Sequence, residues 1–147
     1  QVDEETVWLA GKLVKSTGGR VYALYVVEVP RDYPVDADLP AETSRGEVVL
    51  HQVENHLKEL KCEVTAEILQ ARDVGPAVIR ESLERQIDLI LLGTSYRRRH
   101  GVFSMGHALP YILENASCPV LVLREPMTPE PIAMVAQGIQ ALDERAE

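Results

Sequence analysis

The stretch IDLILLG, Ile87 to Gly93, constrains the fold more than any other part of the chain. It is a short apolar run that ends in glycine, which suits a central strand of a parallel sheet, covered on both faces and opening at its carboxyl end into a crevice. Parallel strands cannot be joined by tight turns; they need crossovers of a dozen or so residues, usually helices. The flanking sequence supplies helical patterns in the right places.

Thr6, Leu9, Ala10, Leu13 and Val14 recur at helical spacing, and Gly18-Gly19 follows where a carboxyl-terminal cap belongs. RVYALYVVEV, Arg20 to Val29, is dense in β-branched and aromatic residues and predicts a strand covered on both faces, ended by Pro30. RDYPVDADLPAETS, Arg31 to Ser44, has two prolines and no periodicity, and predicts a long loop. Val49, Val53, Leu57 and Leu60 mark the next helix, and CEVTAEILQ, Cys62 to Gln70, a second strand. Asp73 stands where a helix cap belongs, with Pro76 tolerated in the first turn and Val78, Ile79, Ser82 and Leu83 as the inner face. After IDLILLG comes an arginine-rich loop, then a helix over HALPYILENA, 107–116, and a last strand in CPVLVLRE, 118–125.

The order α-β-α-β-α-β-α-β implies right-handed crossovers and a three-layer α/β/α domain with a mainly parallel, twisted, Rossmann-like sheet over residues 1–125. Such a sheet normally begins with a strand, whereas this sequence begins with a helix, so a leading strand is expected to be missing from it or supplied from elsewhere. Residues 126–147 carry Ile132, Val135, Ile139 and Leu142 on one helical face and are expected to form a docked or partner-binding helix; PIAMVA within them also reads as a strand.

With 147 residues the chain is about one domain long. A net charge of -8 argues against a general nucleic-acid binder, because phosphate backbones are held by basic surfaces. No apolar stretch reaches the roughly 18 residues of a membrane span, and QVDEET has neither the basic nor the apolar region of a signal peptide, so the expected location is the cytoplasm. Cys62 and Cys118 are far apart and are expected to be buried thiols.

Gly93 ends a strand and Gly106 precedes a helix, where backbone N–H groups can face an anion at the helix's positive end. Gly93, Thr94, Arg97, Arg98, Gly106 and His107 are therefore the candidate nucleotide- or anion-binding residues. The arginines are bidentate donors for phosphate, and protonated His107 adds another donor. The competing reading of RRRH, 97–100, is a solvated loop tip.

Gly93, the two residues after it, then nine residues between Tyr96 and Gly106, and the closing NASCPVLVLRE resemble the universal stress protein family, as do VYALYVVEVP and RESLERQIDLILLG. The resemblance covers most of residues 6–124. It implies an adenine-nucleotide alpha-hydrolase type of fold and, in nucleotide-binding members, phosphates held by the glycine-rich loop and by a hydroxyl residue after its last glycine. Here Tyr96 stands at the second glycine, His107 replaces the hydroxyl, and the strand bearing the family's nucleoside-binding aspartate is absent from the sequence. The VVEVP stretch with its proline-rich acidic loop further resembles versions fused to the cytoplasmic end of amino-acid permeases and other transporters.

The expected function is a regulatory or sensing module with a degenerate nucleotide site and no catalysis or cofactor. The alternative is an ATP- or AMP-binding protein that hydrolyses slowly through Arg97–Arg99. Neither a GxSxG elbow nor a GxxxxGK[ST] loop is present, and the carboxylates Glu81 and Glu84 read as a solvated helix face. His51 and His56 are five apart on a helix and point different ways, so no metal is expected. Val120, Leu121, Val122 and Leu123 form an apolar edge strand, which together with the resemblance implies a homodimer through that strand.

Overall fold

The computed structural model describes residues 2–96, 98–99 and 102–126. The elements run α1 (Val2–Thr17), β1 (Val21–Glu28), α2 (Pro40–Glu59), β2 (Val64–Ala71), α3 (Val74–Glu84), β3 (Ile90–Thr94), β4 (Arg98–Arg99), β5 (Val102–Phe103), α4 (Ala108–Asn115) and β6 (Val120–Arg124). This is an α/β protein whose long strands pair in parallel: β1 with β2 from Val21↔Val64 to Glu28↔Ala71, and β3 with β6 from Ile90↔Val120 to Thr94↔Arg124. Helices α1 and α2 pack together, as do α3 and α4.

The mainly parallel sheet expected from the sequence is present as two parallel pairs, with no ladder between β1 and β3 among the described residues. Each helical crossover joins strands on its own terms, so helical patterning fixes direction without showing whether every neighbour is present. The arginine-rich loop also holds a short antiparallel pair, β4 with β5, through Arg98↔Phe103 and Arg99↔Val102.

Local chemistry explains the boundaries. α1 stops at Gly18, whose φ of +70° is the left-handed conformation glycine adopts without penalty, and the Gly19 N–H returns to the Val14 carbonyl at 3.1 Å. α2 starts earlier than expected, taking PAETS from the predicted loop. Pro40 sits in the first turn, where its missing N–H costs nothing, and Glu42 complements the helix dipole. Asp73 does occupy the cap position of α3, yet its carboxylate makes no capping hydrogen bond.

The core contains Val27, Val29, Leu50, Leu57, Ala77, Ile90, Leu109 and Ile112. Two helix faces match expectation except at one residue each. In α2 the buried residues are Gly46, Leu50 and Leu57, while Val49 is exposed; Gly46 lies against Tyr25, where a Cβ would stand 2.7 Å from the ring. In α3 the buried residues are Gly75, Ala77, Glu81 and Ser82, and Leu83 faces solvent. Gly75 is the close-approach point, where a Cβ would meet Tyr111 of α4 at 2.8 Å.

Both cysteines are half-buried rather than buried; the Cys62 thiol donates to the Gly11 carbonyl at 3.4 Å. No described helix is long and apolar enough to cross a membrane. The expected helix over 126–147 lies outside the described residues beyond Pro126.

Candidate functional site

Of the candidate residues, Gly93 and Thr94 lie at the carboxyl end of β3, and Arg98, Gly106 and His107 along the chain that follows it. Gly93 and Thr94 close β3, where Thr94 pairs with Arg124 and its carbonyl accepts the Glu125 N–H at 2.8 Å. Gly106 has φ +69° with open space around its Cα, and its N–H donates to Ser104 Oγ at 3.3 Å. His107 follows, exposed at the amino-terminal cap of α4 and making no side-chain cap bond. Arg98 is placed in β4, whereas Arg97 lies outside the described residues.

Gly93 does a different job from the one its motif suggests. A Cβ there would lie 2.6 Å from Thr6 Oγ1 and 3.5 Å from Asp3 Oδ1, so the glycine is what allows the first turns of α1 to press against β3. That first turn carries Asp3, Glu4 and Glu5, which already complement the positive end of the helix. An anion lodged against Gly93 would therefore meet a carboxylate.

Tyr96 stacks on Phe103, with ring centroids 5.4 Å apart and planes 15° from parallel. The Arg124 guanidinium lies 5.1 Å from the Tyr96 ring centroid and 6.0 Å from that of Phe103. This cation–aromatic cluster ties β3's exit and β5 to the end of β6. Arg124 was missed in the sequence; an arginine closing a strand that pairs with a tyrosine-bearing loop was the available signal.

At the end of β1 the acidic loop is pinned by two further residues that the sequence did not single out. Arg72 donates to the carbonyls of Val29, at 3.3 Å, and Pro30, at 2.5 Å, and Gln70 Nε2 donates to the Ala37 carbonyl at 2.7 Å. Both lie at the carboxyl end of β2, facing the place where β1 gives way to the loop.

A second polar cluster lies at the opposite end of the molecule. The Tyr22 hydroxyl donates to Glu67 at 2.7 Å and reaches Glu81 at 3.4 Å, and Arg85 bridges the same two carboxylates, meeting Glu81 through Nε at 3.1 Å. The guanidinium carbon also stands 4.0 Å from the Tyr22 ring centroid. Burial, then the hydrogen bond to the Glu67 carboxylate, holds the Tyr22 phenol above its ordinary value of 10.0; the hydrogen bond to Glu81 raises Arg85. Glu81, expected on a solvated face, is thus buried, because α3 turns it toward Tyr22 and Arg85. Glu84 keeps the expected exposure.

Among the described residues no group of three His, Cys, Asp or Glu side chains could hold a metal ion.

With the geometry in view, comparison with known sequences is decisive on ancestry: the universal stress protein family profile matches residues 3–124. The chain belongs to the universal stress protein family. A universal stress protein of Methanocaldococcus jannaschii is 27% identical over 124 residues, spanning 78% of this chain and 70% of that protein. A universal stress protein structure from Archaeoglobus fulgidus superposes with a TM-score of 0.68 at 15% identity, covering 81% of this chain and 86% of that one. The A. fulgidus protein in complex with dAMP gives 0.64 at 12% identity, with 81% and 85% covered. At these identities the likeness establishes the fold, the adenine-nucleotide alpha-hydrolase-like arrangement.

Proposed function

We propose that this universal stress protein domain is a non-catalytic sensing or regulatory module whose nucleotide crevice binds more weakly than a glycine-lined one. The observation that carries this reading is the contact at Gly93. The space beside its Cα is taken by Thr6, with Asp3 next to it, so a phosphate at that point loses backbone approach and gains a like charge. Tyr96 at the position of the family's second glycine and His107 in place of its hydroxyl point the same way. The module acts through protein contacts, and Val120–Leu123 at the edge of the β3–β6 pair supply the surface for a homodimer.

The competing reading, a nucleotide-binding protein that uses its arginine loop, is favoured by specific observations. Gly106 is left-handed and uncrowded, exposed His107 opens α4, and the similar A. fulgidus protein holds dAMP. Thermal melting with AMP, and with ATP and magnesium, separates the two. A ligand at a hundred times its dissociation constant stabilises by about 2.7 kcal/mol, roughly 5 to 10 °C in a domain of this size. The module reading expects a shift below about 2 °C at 1 mM nucleotide and no phosphate release. A saturable shift of about 5 °C or more, abolished in an Arg98→Ala variant, would install the second reading.

A further inference from the structure

We propose that Arg124 is the positioning residue of the connection from β3 to α4: by capping the Tyr96–Phe103 stack it holds the base of that connection in one conformation with no ligand bound. This role rests on the reading of residues 93–107 as the crevice loop and adds what keeps the loop in shape. The connection is well beyond the roughly two to six residues usual between a strand and a helix. Phosphate-holding loops of that kind often take their order from the phosphate itself.

Here the fastening is made by the chain. The Glu125 N–H donates to the Thr94 carbonyl at 2.8 Å, which carries the β3–β6 contact one residue past Arg124. Successive residues of a strand alternate between faces, so the cross-strand partners Thr94 and Arg124 lie on the face opposite to the one where Gly93 meets α1. From there the Arg124 guanidinium stands 5.1 Å from the Tyr96 ring centroid and 6.0 Å from that of Phe103. Its Nη1 donates to the Glu125 carbonyl at 2.9 Å, which fixes the direction of the side chain. Tyr96 precedes β4 and Phe103 ends β5, so their stack closes the hairpin at its base and the cap ties both arms to β6.

The charge matters as much as the packing. Arg124 is exposed and makes no ion pair among the described residues, yet its guanidinium lies over two rings instead of extending into water. Aromatic faces carry negative potential, and a weakly hydrated guanidinium gains from them more than a neutral chain of equal length would. At the far end of the connection the Gly106 N–H donates to Ser104 Oγ at 3.3 Å, a bond made within the loop. Both ends are thus set by the protein's own groups. A ligand can shift a conformational equilibrium only through differential affinity, and an anion at Gly106–His107 finds no disorder at the loop base to remove. The connection is therefore a fixed arm and not a ligand-ordered switch.

Amide exchange and proton shifts measured on the full 147-residue chain, on Arg124→Met and on Arg124→Lys, each with and without about 1 mM AMP, test this. In the native protein the Arg124 δ-methylene protons should be shifted upfield by the rings, and AMP should alter exchange at Tyr96 and Phe103 by less than about twofold. Arg124→Met keeps the length and loses the charge; it should speed exchange at both residues by about three- to tenfold and leave Ile112 of α4 unchanged. Arg124→Lys restores a cation and should recover at least half of the lost protection on a logarithmic scale. Unshifted Arg124 protons, native exchange in Arg124→Met, or an Arg124→Lys no better than Arg124→Met overturns the proposal, as does protection of the native loop by AMP beyond about twofold. A large rise of Tm with AMP at unchanged loop exchange would leave Arg124 in this role and remove the weak-crevice reading instead.

Discussion

Gly93 and Gly106 occupy equivalent-looking places in a glycine-spaced loop, and their surroundings make them behave differently on substitution. Alanine at Gly106 meets open space but must hold φ +69°, at a cost of about 1 kcal/mol. Alanine at Gly93 has no such dihedral demand but collides with Thr6, and displacing α1 from β3 costs about 1 to 3 kcal/mol. The double variant Gly93→Ala/Thr6→Ala should recover most of that loss in urea unfolding, whereas Thr6→Ala should leave Gly106→Ala unchanged. Equal losses at the two glycines, or no rescue by Thr6→Ala, would rule out packing against α1 as the role of Gly93. Tyr22 offers a second check through pH. Its folded-state value is raised, so the folded protein holds the phenolic proton more tightly than the unfolded chain. That contribution is complete below about pH 10 and is lost as pH rises through the folded value. Urea midpoints measured from pH 8 to 11 should therefore fall above pH 10 more steeply for the native protein than for Tyr22→Phe. Parallel curves would show that the Glu67 hydrogen bond does not hold the proton. None of this was legible in the sequence, since a spacing motif records where glycines stand along the chain but not which helix leans on them.

The helices show where sequence patterning succeeds and where it slips. β1, β2, β3, β6, α1 and α4 fall within a few residues of expectation, because their apolar runs and their glycine or proline punctuation are local signals. The inner faces of α2 and α3 follow expectation at Leu57 and Ser82, which are buried, and depart from it at Val49 and Leu83, which face solvent. At Gly46 and Gly75 a helix comes within contact distance of Tyr25 and Tyr111, so neither position has room for a side chain. Leu50, Ala77 and Glu81 are turned inward beside them. Leu57, fully buried, should lose about 2 to 5 kcal/mol on truncation to alanine, while Val49→Ala should change stability by less than about 0.5 kcal/mol. Chemical denaturation of the two variants distinguishes the observed face from one centred on Val49, which would make the costs comparable. The candidate site was legible to the same degree as the helices. The sequence located its loop and both glycines along the chain, but the Tyr96–Phe103–Arg124 cluster joins three elements through contacts that no local pattern encodes.

Taken whole, the described residues pair their long strands two by two, with α1 in contact with β1, β3 and β6. That arrangement bears on assembly, because β6 has β3 on one side and, among the described residues, no strand on the other. Leu121 on this strand is 40% exposed, an apolar side chain on a free edge, in a chain whose net charge of -8 otherwise favours dispersal. Pairing of β6 with its counterpart in a second copy, antiparallel across a two-fold axis, would satisfy both edges and bury both Leu121 side chains. Light scattering at tens of micromolar should then give a dimer mass, and Leu121→Glu should give a monomer with an unchanged far-ultraviolet spectrum, since like charges would face each other across the axis. A monomer for the native chain, or a dimer that survives Leu121→Glu, would remove β6 as the interface. A dimer sensitive to Leu121 but unaffected by AMP would tie assembly to the strand edge and separate it from the crevice, as expected of a module that works through protein contacts.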